Sequence, residues 1–339
     1  MVANVSVDIG EIDSSGDFLN LMISITYHHA MKVTWNTLPR KAWSEFHSRY
    51  GGSLQQSWTY GQAMATLGVQ VHRAAVMDGR KLVALAQFIG RRYLGYISLA
   101  SCTRGPVWSW ALEGPQQAEI HKALRSSIPT RAFRVTLFSP NCTLEQLPPP
   151  SVMGMHRVMT GYSTVMLDLT QEEAVLRERL EGKWRNRLVK AEAAARLSIH
   201  VLPDRRACEK LLLHEGEQRQ ARRFQGLPTG FVPAYLVDGH EGPQPCFLVA
   251  WAELEGKTIA SMLFLLHGQA ATYHMGWSDE EGRKLNAHAL LLWRGMLALK
   301  KLNIRSLDLG GVNTHDLPGI SRFKLATGGQ VLTLAGTYF

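Results

Sequence analysis

Long apolar runs are missing from this 339-residue chain, and so are paired cysteines. No stretch approaches the roughly 18 apolar residues that a membrane-spanning helix requires. The four cysteines (Cys102, Cys142, Cys208 and Cys246) stand far apart and form no CxxC pair. That argues against a cysteine-held metal and against a disulfide framework, and it favours a reducing, cytoplasmic location. Thirteen histidines are present, but no HExxH. There is no GxSxG nucleophile turn and no phosphate-binding GxxxxGK[ST] loop, so these routes to hydrolysis or nucleotide use are closed. Neither of two candidate helix starts, "EEGRKLNAHALLLW" (Glu280–Trp293) and "LEGPQQAEIHKAL" (Leu112–Leu124), carries the glycine-rich turn that would cradle a pyrophosphate.

What is present suits a folded chain. Hydrophobic residues make up 45% and charged residues 19%, which excludes extensive disorder. The length is enough for two domains. A formal charge of +9 favours an anionic partner without choosing among RNA, a nucleotide and other phosphates. The first 30 residues place Asp8, Glu11, Asp13 and Asp17 before a short apolar stretch. A secretory signal would put basic residues there. Residues 1–30 therefore read as a weakly ordered extension, with Met31 a candidate natural start.

The chain repeats itself. "DGRKLVALAQFIGRRYLGYISLA" (Asp78–Ala100) and "EGKTIASMLFLLHGQAATYHMGW" (Glu255–Trp277) each open on an acidic-Gly turn. Each then runs through an apolar stretch to a glycine, Gly90 or Gly268, and into a second strand containing tyrosine. Both read as hairpins. The strands "HRAAVM" and "CFLVAWAEL" precede them. Helices near Gln116–Ser127 and Asn286–Leu302 follow, and then the strands "FRVTLFSP" and "IRSLDLGG". Each half thus reads strand–strand–strand–helix–strand, which duplication explains. The proline run Leu147–Pro150 marks a linker. The first domain is expected at 31–160 and the second at 161–339, the C-terminal strand included.

Two features bear on chemistry. Between Arg177 and Arg196 lie seven basic and three acidic residues. Lys183, Arg187 and Lys190 are spaced four and three apart and share one helical face. That face is either simply solvated or a contact for phosphates of RNA or a lipid-linked diphosphate. Near the end, Lys324 stands between Phe323 and Leu325, just before Gly328–Gly329. Read as a strand, Phe323 and Leu325 share one face and Lys324 takes the other. The same alternation separates Tyr273 from His274, both of which otherwise read as packing residues.

The ordered set "LQQSWTYGQA", "RGPVW", "GKWRNRLVKAEAA", "ARRFQGLP", "YHMGWSD", "LDLGG" and "FKLATGG" resembles the Fem family. These are FemABX-like aminoacyltransferases, transferases built from two domains of the GNAT (Gcn5-related acyltransferase) type. The resemblance runs over about residues 33–339. It implies an α/β (α+β) fold with two tandem GNAT-like domains, mixed sheets flanked by helices, and no coiled-coil arm, since the His200–Pro245 connection is too short for one. It implies an enzyme of cell-wall biogenesis that moves an aminoacyl group from aminoacyl-tRNA to an amine of a peptidoglycan-type envelope precursor. No cofactor and no metal are implied, and peripheral membrane contact is allowed. Lys324, with Phe323 before it, falls where the family has its reaction centre. Arg222 or Arg223 falls where it holds the precursor's phosphates, and Tyr273 and His274 where a strand end lines the cleft. One departure stands out. "SWTYGQAMATLG" (Ser57–Gly68) lacks the basic residues that the family places there, which leaves recognition of a nucleotide diphosphate open. Two other readings remain: an N-acyltransferase fed by acyl-CoA or another thioester, and a non-catalytic binder of RNA or envelope precursor.

Overall fold

The computed structural model describes residues 2–7, 23–28, 31–93, 97–129, 133–222, 227–239, 244–313 and 317–339. Within the first 30 residues, β1 (Val2–Val7) and β2 (Ile23–His28) pair antiparallel in a sheet of their own.

The first domain continues with β3 (Lys32–Trp35), α1 (Arg40–Arg49), a 3-10 turn at Leu54–Gln56 and α2 (Trp58–Thr66). The hairpin strands follow as β4 (Gln70–Asp78), β5 (Lys81–Tyr93) and β6 (Ile97–Thr103), with the short β7 (Val107–Trp108) beside β5. Then come α3 (Gly114–Ser127), β8 (Phe133–Ser139), α4 (Pro150–Met153) and β9 (Arg157–Met159). The second domain opens on β10 (Ser163–Asp168), α5 (Glu173–Glu178), α6 (Gly182–Glu192) and β11 (Leu197–Leu202). It proceeds through α7 (Arg205–Arg222), α8 (Phe231–Asp238), β12 (Phe247–Leu254), β13 (Lys257–His267) and β14 (Ala270–Ser278). It ends with α9 (Glu280–Lys284), α10 (Ala287–Lys301), β15 (Ser306–Val312), α11 (Pro318–Leu325), β16 (Gln330–Thr333) and β17 (Thr337–Tyr338).

The strand orders are β3-β4-β5-β6-β8-β17-β9 and β11-β12-β13-β14-β15-β10-β16. Position by position they correspond, and in each the one parallel neighbour pair follows the central hairpin: β6 with β8, β14 with β15. The repeat inferred from pattern is therefore a repeat of topology.

The sixth strand of each sheet comes from a different point of the chain. β10 follows β9 in the chain but pairs in the second sheet, whereas β17 follows β16 and returns to the first. The C-terminal strand expected wholly in the second domain is thus two strands, divided by Gly336 at φ +111°. The two connecting segments touch where they cross. Leu334 N–H donates to Tyr162 O at 3.1 Å. A Cβ at Gly161 would lie 1.7 Å from Leu334 O, and one at Gly336 would lie 2.4 Å from Met159 O, so only glycine fits either position.

Three local expectations change. Gly90 is not a turn: it pairs with Gln70 and Ala100 inside β5, which runs on to Tyr93. Gly268, at φ +64°, is the turn between β13 and β14. The proline run is not a free linker, because Pro149 and Pro150 start α4, whose Met153 is buried in the first domain's core. Proline suits a helix's first turn, where its missing N–H costs nothing.

Each sheet packs one face on its own helices. The second domain's core joins Trp184 and Leu188 of α6 to Leu291, Trp293 and Met296 of α10. The other face of the second sheet meets the first domain. Tyr60, Ala63 and Met64 of α2 pack with Phe231 and Tyr235 of α8 and with Val249, Leu263 and Leu265. Arg40 adds an ion pair to Asp238 at 3.1 Å.

Candidate active site

The parallel pairs of the two sheets differ. In the first, β6 and β8 stay paired over seven positions, from Ile97–Phe133 to Thr103–Ser139. In the second, β14 and β15 pair only at Ala270–Ser306, Ala271–Leu307 and Thr272–Asp308, and then part. A bulge contributes: Leu263 of β13 opposes Met275 and Phe264 opposes Tyr273, so His274 is the extra residue. A bulge bends its strand and re-aims its side chains. The gap beyond Thr272 and Asp308 is where the second domain presents unpaired strand ends.

Lys324 occupies that gap. The strand expected for it is a helix: Pro318 stands in the first turn of α11, and Gly328, at φ +74°, follows its end. The strand alternation of Phe323 and Leu325 accordingly fails. Lys324 is buried at 8% exposure, Phe323 packs on the core and Leu325 is exposed. Lys324 Nζ donates to Gly311 O at 2.9 Å and lies 5.9 Å from the Tyr273 ring centroid. It also sits 3.6 Å from where a Gly310 Cβ would stand, an ordinary contact distance. Burial lowers the Lys324 pKa, and nearby Asp308 partly offsets this. Phe323 meets the rings of Trp184 at 5.9 Å and His288 at 6.3 Å, which makes it a packing residue that fixes α11.

Asp308 organises the floor of the gap. It takes the guanidinium of Arg104, from the first domain, in a buried ion pair. It also accepts from Thr164 Oγ1 at 2.5 Å and from Gly310 N–H at 2.7 Å. Burial pushes its carboxyl up, but Arg104 and these donors outweigh that and hold it below the usual range. Arg104 is itself held by Asn141 Oδ1 at 2.7 Å, and its carbonyl accepts from Ser53 Oγ at 2.9 Å. Sequence reasoning assigned no role to Arg104 or Asp308. The signal was one acid in the otherwise apolar "LDLGG" and the arginine of "RGPVW".

Tyr273 and His274 face opposite sides of β14, as alternation indicated. Tyr273 packs against the second core, its hydroxyl raised to about 12 by burial. That hydroxyl would lie 2.4 Å from a Cβ at Gly276. His274 faces the interdomain side, 5.7 Å from the Phe231 ring. With Met275 it lines a cavity of about 480 Å³ whose other walls are mainly apolar residues of α7 and α8, including Leu212, Val232 and Pro233.

The basic trio of α6 lies elsewhere. Lys183, Arg187 and Lys190 are exposed on the outer face of α6, opposite buried Trp184, Leu188 and Ala191. Arg222 closes α7, but its side chain lies outside the described residues, as does Arg223 entirely. Among the described residues no cluster of His, Cys, Asp or Glu could hold a metal, and no helix is long and apolar enough to cross a membrane.

Two helix starts in the places read for a pyrophosphate, those of α3 and α9, are occupied. Glu113 caps α3 in a reciprocal capping box with Gln116. Ahead of α10 stands α9, whose start is capped by Asp279 accepting from Gly282 N–H at 2.8 Å and whose first turn holds Glu280 and Glu281. Carboxylates there repel an anion where bare N–H groups would attract it.

A family model described as an acetyltransferase (GNAT) domain matches residues 179–325. No curated relative matches the chain. Among solved structures, one titled as the crystal structure of FemX aligns over 90% of this chain and 96% of its own, at 14% identity and a TM-score of 0.75. A conserved protein of unknown function from Bacteroides thetaiotaomicron aligns over 91% and 98%, at 12% identity and a TM-score of 0.61. L-PGS from Bacillus licheniformis aligns over 88% and 91%, at 13% identity and a TM-score of 0.53. At these identities the likeness is one of fold: two GNAT-like domains in tandem.

Proposed function

We propose that this chain is an acyltransferase that forms an amide, moving an aminoacyl group from aminoacyl-tRNA to an amine of a cell-envelope precursor. The observation that carries the reading is the parted β14–β15 pair in the second sheet alone, with Lys324 inside it; the 480 Å³ cavity opens at His274 and Met275 of the same β14.

The chemistry assigns each part. The acceptor amine, unprotonated, attacks the ester carbonyl. A C–N bond forms, and the carbonyl oxygen gathers negative charge. The ester C–O bond then breaks, and the ribose hydroxyl leaves with the proton given up by the amine. Lys324 spends one N–H on Gly311 O and keeps two for the developing oxyanion, where a fixed donor contributes a few kcal/mol. Asp308 and Arg104 hold β15 and the first domain in register. The cavity beside His274, within the size range of small-ligand sites, receives the apolar body of the transferred group or of the acceptor.

The capped starts of α3 and α9 favour an RNA-borne donor over acyl-CoA, since carboxylates or side-chain caps already hold them against a pyrophosphate. Purified protein offered charged tRNA and, separately, acyl-CoA tests the choice by mass spectrometry of the acceptor. An adduct formed from charged tRNA alone supports the proposal; one formed only from acyl-CoA replaces it with N-acyltransfer.

A further inference from the structure

A second site of different character lies on the outer side of the second domain. α6 and the end of α11 are joined where Glu181 N–H donates to Ala326 O at 3.0 Å. Between them opens a notch of about 510 Å³ lined by Lys183, Trp184, Arg187, Arg322, Glu181 and Ala326. Its charge is three cations to one carboxylate. Among the described residues, none of the three cations forms an ion pair.

Two further observations concern the notch itself. Trp184 is 1% exposed, yet its indole N–H has no hydrogen-bond partner among the described residues. A buried donor without an acceptor costs about 1–3 kcal/mol, and indole can only donate. The start of α6 is also open: Glu181, its N-cap residue, makes no side-chain cap. The first N–H groups and the positive end of this eleven-residue helix therefore face outward. The cations and the uncapped helix start suit an anion with several acceptor oxygens, and Trp184, its Nε1 closed to solvent, forms the notch's wall.

We infer that this notch binds phosphate groups of an RNA backbone. Lys183, Arg187 and Lys190 continue from the notch along α6, about 6 Å and 4.5 Å apart in rise. Such a row fits a chain of successive phosphates better than a single free ion. The choice of RNA among polyanions rests on the aminoacyl-tRNA reading above. The site is separate from the transfer chemistry yet linked to it. Arg322 and Lys324 lie two residues apart on α11 and so point to nearly opposite sides of it, while Phe323 packs on Trp184 between them. A ligand held by Arg322 bears on the helix that carries Lys324.

The test is fluorescence anisotropy of the full chain with a short labelled single-stranded RNA at several salt concentrations. The paired variant Arg187→Gln/Arg322→Gln is compared with Arg196→Gln, whose partner Glu255 lies outside the notch. The paired variant should bind roughly 10-fold more weakly, with a salt slope about 1.4 smaller, or about 0.7 per lost phosphate contact on a single strand. Arg196→Gln should match the parent. Inorganic pyrophosphate should compete weakly, and phosphatidylglycerol vesicles should not bind. An unchanged affinity and slope in the paired variant overturns the inference, as does binding of the vesicles in place of RNA. If the parent transfers from charged tRNA while the paired variant binds RNA as tightly, only the notch is lost. If RNA binds through the notch while no transfer occurs, only the proposed function is lost.

Discussion

Arg104 of the first domain and Asp308 of the second form a buried ion pair across the domain boundary, each side chain only 7% exposed. The pair stands beside the gap that holds Lys324, so it ties the relative placement of the domains to the site.

Asp308→Asn keeps the shape and removes the charge, leaving Arg104 buried and unmatched. The expected loss is about 3–5 kcal/mol in chemical denaturation. Removing both charges in Arg104→Met/Asp308→Asn should recover much of it. The wild type should also lose stability in acid. The folded carboxyl titrates below its unfolded value, so its contribution is complete above the unfolded pKa and disappears as pH falls through the folded one. Asp308→Asn should flatten that part of the profile.

Lys324→Met should fold, because methionine fills similar volume and removes a buried charge, at the cost of one donor to Gly311 O. Turnover should fall about 100-fold or more, the scale of one lost oxyanion donor. Burial lowers the lysine's pKa. If its charge serves the reaction, kcat should decline as pH rises through a value below that of an ordinary lysine. The limb should be missing from the residual activity of Lys324→Met. Steady-state rates across alkaline pH decide the matter; equal turnover in parent and variant would remove Lys324 from the mechanism.

The repeat was legible because hairpins and amphipathic helices advertise themselves locally, through turn residues and periodicity. The helix around Lys324 was not. "FKLATGG" has no long apolar period, and the proline that opens α11, Pro318, stands five residues before Phe323, outside that motif. The exchange of β10 and β17 could not be read either, since neither strand's sequence records which sheet it will join. Arg104 and Asp308 were in quoted motifs, but a pairing between residues 104 and 308 has no local signature. The basic face of α6 was plain from spacing alone. Its extension to Arg322 and the Trp184 N–H needed the packing of α6 against α11.

Acetyl-CoA should bind weakly or not at all. Asp279, Glu280 and Glu281 occupy the approach to α10, and Glu113 caps α3. Isothermal calorimetry should show no saturable heat at micromolar ligand. A micromolar affinity would mean that a phosphate cradle exists elsewhere and would favour the thioester donor.

Gly161→Ala should be among the most damaging single-methyl additions in the chain. The new Cβ would sit 1.7 Å from Leu334 O and within 3.0 Å of Gly336 N, and both neighbours are backbone. A loss of about 3 kcal/mol or more is expected in denaturation midpoints. Gly256→Ala serves as the control: its backbone is left-handed, but nothing lies within 4 Å of its Cβ. A smaller loss there, from backbone strain alone, would isolate the cost of the crossing.

The crossing of those two segments also sets an order of events during synthesis. The slot between β8 and β9 is filled by Thr337–Tyr338, which are made after every strand of the second sheet. The domain translated first is thus the last to be completed, and it waits with two strand edges unpaired while the other is made. Premature termination anywhere in the second half would leave the first half open as well, so an incomplete chain advertises itself to proteases along its whole length.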